Sequence, residues 1–334
     1  MLQKKNILVV LKLDSSEFES SDLEIISAGQ LVADKNDGSI IALVFLDTKI
    51  SNKESLSENL IARGVDEVDF VSKEYVSEHD LATYVAPVST AIEEKEVEVV
   101  LFTHNNFGSD LAPRIAFRNR GAIVTGTEGI EVRNSGELLL TRVCFGGRAQ
   151  QTIQPSSSLV VITVREKIFE PPEKNYKRQG KVVNMWVDQQ ESSLTLLEQK
   201  REESKGIRLE SASVVVAGGR GVGGPEGFEI LSELAKCLDG ALGASRVACD
   251  LGWVPHSWQV GLSGKTVSPN IYFAVGISGA SHHLAGCGTS KAIVAINVDK
   301  DAPIFSEARF GIVGEFSELI PALVEEFKKN PQTS

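Results

Sequence analysis

Four short apolar runs, Asn6–Lys12, Ser39–Leu46, Glu67–Val71 and Val97–Thr103, are separated by stretches long enough to hold a helix each. This alternation constrains the fold more than any other feature. Strands joined through helices run parallel and are covered on both faces. Between the first two runs, Leu23, Ile26, Leu31 and Val32 lie on one face of an amphipathic helix. The first run leads into Leu13-Asp14-Ser15-Ser16 rather than a glycine-rich turn, so this half carries neither a dinucleotide fingerprint nor a P-loop. In THNNFGSDLAPRIAFR, Ser109 or Asp110 is placed to cap a helix on which Arg114 and Arg118 share a face. A solvated basic face is favoured there over an anion site.

After Gly121 the pattern changes to β-rich segments, AIVTG, ELLLTRVCF, RAQQTIQ and SLVVITV, broken by Asn134-Ser135-Gly136 and Gly146-Gly147. They read as a small antiparallel appendage on the first domain. Pro171 and Pro172 favour extended chain, and the polar stretch 188–211 reads as a connection. A length of 334 residues fits two domains. The expected division is an α/β domain over 1–205 and a doubly wound domain over 206–334. A net charge of −11 argues against a nucleic-acid partner. No run approaches the ~20 apolar residues of a membrane helix, so no membrane insertion is expected. The N-terminal ILVVL is too short for a signal peptide and is followed by Lys12. Cys144, Cys237, Cys249 and Cys287 are widely spaced, which fits a reducing compartment without disulfides or zinc. The bacterial-type cytoplasm is the simplest address, with a matured mitochondrial chain as the alternative.

In the second half, Ser213–Ala217 is a short buried strand followed by Gly219-Arg220-Gly221-Val222-Gly223-Gly224, which formally satisfies GxGxxG. Pro225 suits a first helical turn, Phe228, Leu231, Leu234, Ala235 and Leu238 recur at helical spacing, and Gly240 suits the stop. The acidic residue at the right distance, Asp239, ends a helix rather than the second strand, so the dinucleotide signature fails on context. The junction retains backbone N–H groups and Arg220 for a phosphate. From Gly243 to Asn297, small residues cluster after the apolar runs IYFAVGI and AIVAIN. Such residues at strand ends let a ligand approach the backbone. Arg246 falls in an otherwise uncharged run and is expected to face a ligand. Ser245, Ser263, Ser278 and Ser281 read together as a polar cradle beside the pair His282 and His283. Trp253, His256 and Trp258 fit either an aromatic wall or a core turn.

The series GGRG, GASR, QVG-x-[ST]-GK, P-x-IYFAVGISGA, HLAG, SKAIVAIN-x-D and APIF over residues 214–316 resembles the alpha subunit of the electron-transfer flavoproteins. The first half is similar in outline, with DLAPR and FEPPE in place. The resemblance implies FAD bound by the C-terminal domain and a heterodimer with an electron-transfer flavoprotein beta subunit. It implies electron transfer between flavin dehydrogenases, such as acyl-CoA dehydrogenases, and a quinone oxidoreductase. Electron bifurcation would depend on a second flavin carried mainly by the beta subunit. By motif position, Arg220 and Gly221 lie on the phosphate side, and Ser245 contacts FAD. Arg246 sits against the isoalloxazine, and Val260, Gly261, Leu262 and Ser263 line the ring edge. Ser278, Gly279, Ala280, Ser281, His282 and His283 run along the ribityl and pyrimidine side. Asn297, Glu315 and Phe316 reach the adenosine end. Arg246, Ser263 and His283 would tune the flavin, because a fixed cation and a histidine beside the ring favour its reduced form. Departures are Leu262 and Ser263 for the family's Gln-Thr, His282 for its Gln, and Cys287-Gly288-Thr289 after HLAG. Other readings are a nicotinamide-dependent dehydrogenase using the GxGxxG-like loop, and a non-enzymatic adenine-nucleotide-binding module.

Overall fold

The computed structural model describes residues 5–13, 16–46, 50, 52–72, 75–77, 79–145, 149–188, 190–198 and 207–329. The chain divides into two compact units, Met1–Cys144 with Arg148–Gln199, and Phe145–Gly147 with Lys200–Ser334.

In the first unit the apolar runs become β1 (Asn6–Leu13), β2 (Ile40–Leu46), β3 (Glu67–Ser72) and β4 (Val97–Thr103). They lie parallel in the order β4-β1-β2-β3. Alternation along β1 builds two cores. Ile7, Val9 and Leu11 pack with α1 (Ser20–Asn36) and α2 (Lys53–Ala62). Leu8 and Val10 pack with α3 (Val85–Glu94) and α4 (Asn106–Arg118). On α1 the buried face holds Leu23, Ile26 and Val32, but Leu31 is 43% exposed and lies off it. The cap of α4 is Asn105, whose Oδ1 accepts from Gly108 N at 2.9 Å. Ser109 and Asp110 therefore sit inside the first turns. Arg114 pairs with Asp110 at 2.9 Å, and both Arg114 and Arg118 face solvent.

The β-rich segment joins the first unit's sheet, with its antiparallel strands extending one edge. It forms β5 (Ala122–Val132), β6 (Leu138–Cys144), β7 (Ala149–Ile153) and β8 (Val160–Val164) of the same sheet. β8 inserts parallel between β4 and β5. β5 pairs with β8 up to Thr127 and antiparallel with β6 from Thr127 to Val132, so one long strand joins the two patterns. β9 (Lys181–Asn184), which the sequence did not announce, adds parallel to β3. Among the described residues the order is β7-β6-β5-β8-β4-β1-β2-β3-β9.

The second unit contains β10 (Val214–Gly218), α5 (Pro225–Cys237), β11 (Ala241–Ala244), α6 (Arg246–Asp250) and β12 (Ile271–Val275). It continues with α7 (Ser281–Cys287), β13 (Ala292–Asn297), α8 (Ile304–Glu307), β14 (Phe310–Val313) and α9 (Phe316–Lys329). The strands are parallel in the order β11-β10-β12-β13-β14. Helices cover both faces, α5 and α9 over one core and α7 and α8 over the other. Asp239, at φ +51°, makes the left-handed stop of α5 in place of Gly240, and the Gly240 amide closes on Ala235 O at 2.8 Å. Among the described residues no helix is long and apolar enough to cross a membrane.

Candidate cofactor site

Parallel pairing puts every carboxyl end of the second sheet on one edge. The strand order reverses at β10, leaving a crevice between the loops that follow β10 and β12. Two glycine-rich loops meet beside it. Gly219 N donates to Val275 O at 2.8 Å, and Gly221 N donates to Gly276 O at 3.0 Å. A Cβ on Gly221 would stand 2.8 Å from Gly276 Cα, so both positions need glycine for backbone to lie against backbone. A Cβ on Gly223 or Gly224 would meet nothing within 4 Å, and Arg220 is exposed beside this open backbone. The GxGxxG-like spacing thus reflects loop packing plus one open turn. Where a dinucleotide fold carries its acid, at the end of the second strand, β11 is followed by Ser245 and Arg246.

The segment after α6 extends the edge. Val260 N donates to Ala244 O at 2.9 Å, and Leu262 N donates to His282 O at 2.7 Å. A Cβ on Gly286 would fall 2.3 Å from Gly261 N, so α7 lies directly on the Val260–Ser263 backbone. Ser263 Oγ accepts from Gln259 Nε2 at 3.1 Å. Gln259 is 6% exposed and went unnoticed in the sequence because nothing local marks it. Leu262 points outward, 67% exposed.

His283 is buried on α7, and its Nε2 lies 2.9 Å from the hydroxyl of fully buried Tyr272. Its Nδ1 has no hydrogen-bond partner. Burial pushes the imidazole down to about 4, opposed by the Val260 carbonyl beside the ring. The ring is therefore neutral at physiological pH and contributes a hydrogen bond rather than a charge. Arg246, expected to lean on a ligand because its surroundings are uncharged, is 69% exposed and pairs with Asp250 one turn on at 3.3 Å. His282, Ser278, Ala280 and Ser281 are exposed around the start of α7. Gly279, at φ +87°, fits because a Cβ would stand 2.4 Å from Ile304 N.

Two expected contacts at the far end are engaged otherwise. Asn297 donates from Nδ2 to Ile277 O at 3.0 Å and accepts at Oδ1 from Asp299 N at 3.0 Å, so its amide ties loops together. Phe316 packs, partly buried, into the core under α5 and α9. Glu315 precedes α9, is exposed, and accepts from Leu319 N through its carbonyl at 3.1 Å. Trp253 and Trp258 both pack, partly buried, against the core, while His256 is exposed. Residues 220–221, 245–246, 278–283 and 315–316 follow the carboxyl ends of β10, β11, β12 and β14, and 260–263 is tied to them through the Val260 and Leu262 amides.

The electron transfer flavoprotein domain family model matches residues 7–189, and the electron transfer flavoprotein FAD-binding domain model matches residues 208–288. The chain is 38% identical over 328 residues to the electron transfer flavoprotein subunit alpha of Thermoanaerobacterium thermosaccharolyticum, covering 97% of this chain and 98% of that one. It is 34% identical over 325 residues to the subunit of the same name from Bacillus subtilis, with 97% and 98% covered. It is also 34% identical over 334 residues to protein FixB of Clostridium saccharobutylicum, with 97% of each covered. With both halves matched and these relatives spanned almost end to end, the chain belongs to the alpha-subunit family of the electron transfer flavoproteins, and its second unit carries that family's FAD-binding domain.

Proposed function

We propose that the chain pairs with an electron transfer flavoprotein beta subunit as an electron carrier. It takes electrons from flavin dehydrogenases, such as acyl-CoA dehydrogenases, and passes them to a quinone oxidoreductase. FAD lies along the carboxyl edge of the second sheet. The observation that carries this reading is His283 Nδ1, a buried polar atom on that edge that makes no hydrogen bond of proper geometry, the Val260 carbonyl beside the ring falling outside it. Buried polar groups are otherwise nearly always satisfied. The open backbone at Gly223 and Gly224 supplies a second fit, a place where a diphosphate can reach N–H groups at the start of α5. FAD, when bound, supplies the redox chemistry.

The chain's own groups bind and orient. Arg220 and the open turn hold the phosphates, and Ser245 and Ser278 to His282 give polar contacts along the edge. Val260 to Leu262 shape the ring's border. Gln259 donates to Ser263 Oγ, which leaves the serine's own proton free to donate outward. Arg246 is the fixed cation and His283 a neutral donor. Asn297 acts by fixing the loops, while Glu315 and Phe316 stand near the adenosine end. No side chain needs to act as nucleophile or general base. The four free cysteines support a cytoplasmic setting. Co-expression with the cognate beta subunit tests the function. The expected product is a yellow complex whose visible band bleaches when an acyl-CoA dehydrogenase and its substrate are added. A colourless complex that FAD cannot reconstitute would refute the reading.

A further inference from the structure

Tyr272 lies on β12, 0% exposed, with its hydroxyl between His283 Nε2 and the Cys287 side chain. Burial holds the phenol well above its usual range, so it keeps its proton and must donate it somewhere. Two acceptors are within reach. An imidazole nitrogen accepts strongly and a thiol sulfur weakly. Cys287 in turn directs its Sγ at the His283 carbonyl at 3.6 Å, so the thiol has its own acceptor. A neutral imidazole carries one N–H, and if Nε2 accepts from the phenol, the proton sits on Nδ1.

We infer that Tyr272 is a positioning residue for His283: its O–H donates to Nε2, fixes the Nδ1–H tautomer, and so presents an N–H donor to an acceptor oxygen of the flavin. The inference rests on the reading of this edge as the FAD site. The opposite tautomer would turn the phenol toward sulfur and offer the ligand a lone pair, which suits no carbonyl. A ring pinned on one side by a buried phenol is also oriented before the ligand arrives, as second contacts orient metal-bound histidines.

The test uses the full alpha–beta complex. Nitrogen-15 histidine spectra of the unaltered complex report the tautomer without any variant, and the expected state of His283 is Nδ1–H with and without FAD. An Nε2–H state would overturn the inference. Tyr272→Phe keeps the ring volume and removes the donor. It is expected to cut the preference for one-electron-reduced over oxidised FAD by about tenfold, the scale of one hydrogen bond, or about 59 mV for that one-electron couple. In a His283→Ala background the same change is expected to have no further effect. An equal loss in that background would mean that Tyr272 acts by another route, which overturns the inference. If His283→Ala itself leaves FAD affinity and potential unchanged, the siting of FAD fails, while the tautomer spectrum still judges the Tyr272–His283 bond.

Discussion

At the scale of residues, charge is placed differently from what spacing alone conveys. Arg246 carries its charge in solvent beside Asp250. Exposed i,i+4 pairs contribute about 0.5 kcal/mol or less. Asp250→Asn should therefore leave the thermal midpoint nearly unchanged and raise the flavin potential, because it removes the anion opposing Arg246. Arg246→Ala should lower the potential, and a redox titration of each variant checks both signs. His283 gives a pH dependence. Its folded value, about 4, lies below the ordinary 6.5. The unfolded chain therefore binds the extra proton first as pH falls. Stability is intact above about 6.5 and drains toward 4, by on the order of 3 kcal/mol for a shift of this size. Urea titrations of the chain and of His283→Asn between pH 7 and 4.5 should show a smaller loss in the variant. The sequence displayed Arg246 and His283 as odd residues in small-residue runs. It concealed Gln259 and Tyr272, whose importance comes only from what folding brings beside them.

At the scale of elements, the site is assembled by glycines that let backbones touch. Gly279→Ala combines a φ of +87° with a Cβ 2.4 Å from Ile304 N and should cost more than about 2 kcal/mol. Gly223→Ala has a φ of +79° but open space, and should cost only the ~1–2 kcal/mol of a left-handed alanine. Paired thermal melts should separate the two clearly. The glycine pattern was readable, but its meaning was not. GxGxxG marked a junction, whereas the contact of Gly221 with Gly276 depends on a loop 55 residues away in sequence. Helix capping is likewise decided by what lies outside the helix. In α4 several polar residues can cap, and the strand end at Thr103 decides that Asn105 does. KVVN, four residues among charges, carried too little pattern to announce β9.

At the scale of the whole molecule, buried parallel strands were legible because both of their faces are apolar. β2 is buried at every position, and β1 at nearly every one. The insertion of β8 between β4 and β5 was not, since pairing across the sheet is non-local and turn signals at 134–136 look the same in an appendage or an edge. In the second unit, the order β11-β10-β12-β13-β14 opens the crevice beside β10, and the strand ends were already visible as small-residue clusters. The central claim is that FAD lies on this edge. Amide hydrogen exchange of the alpha–beta complex, with FAD bound and after its removal, tests it most directly. The expected result is FAD-dependent protection at residues 219–224, 260–264 and 276–284, with the first unit's strands unchanged; protection confined to the first unit, or absent from those three segments, would contradict it.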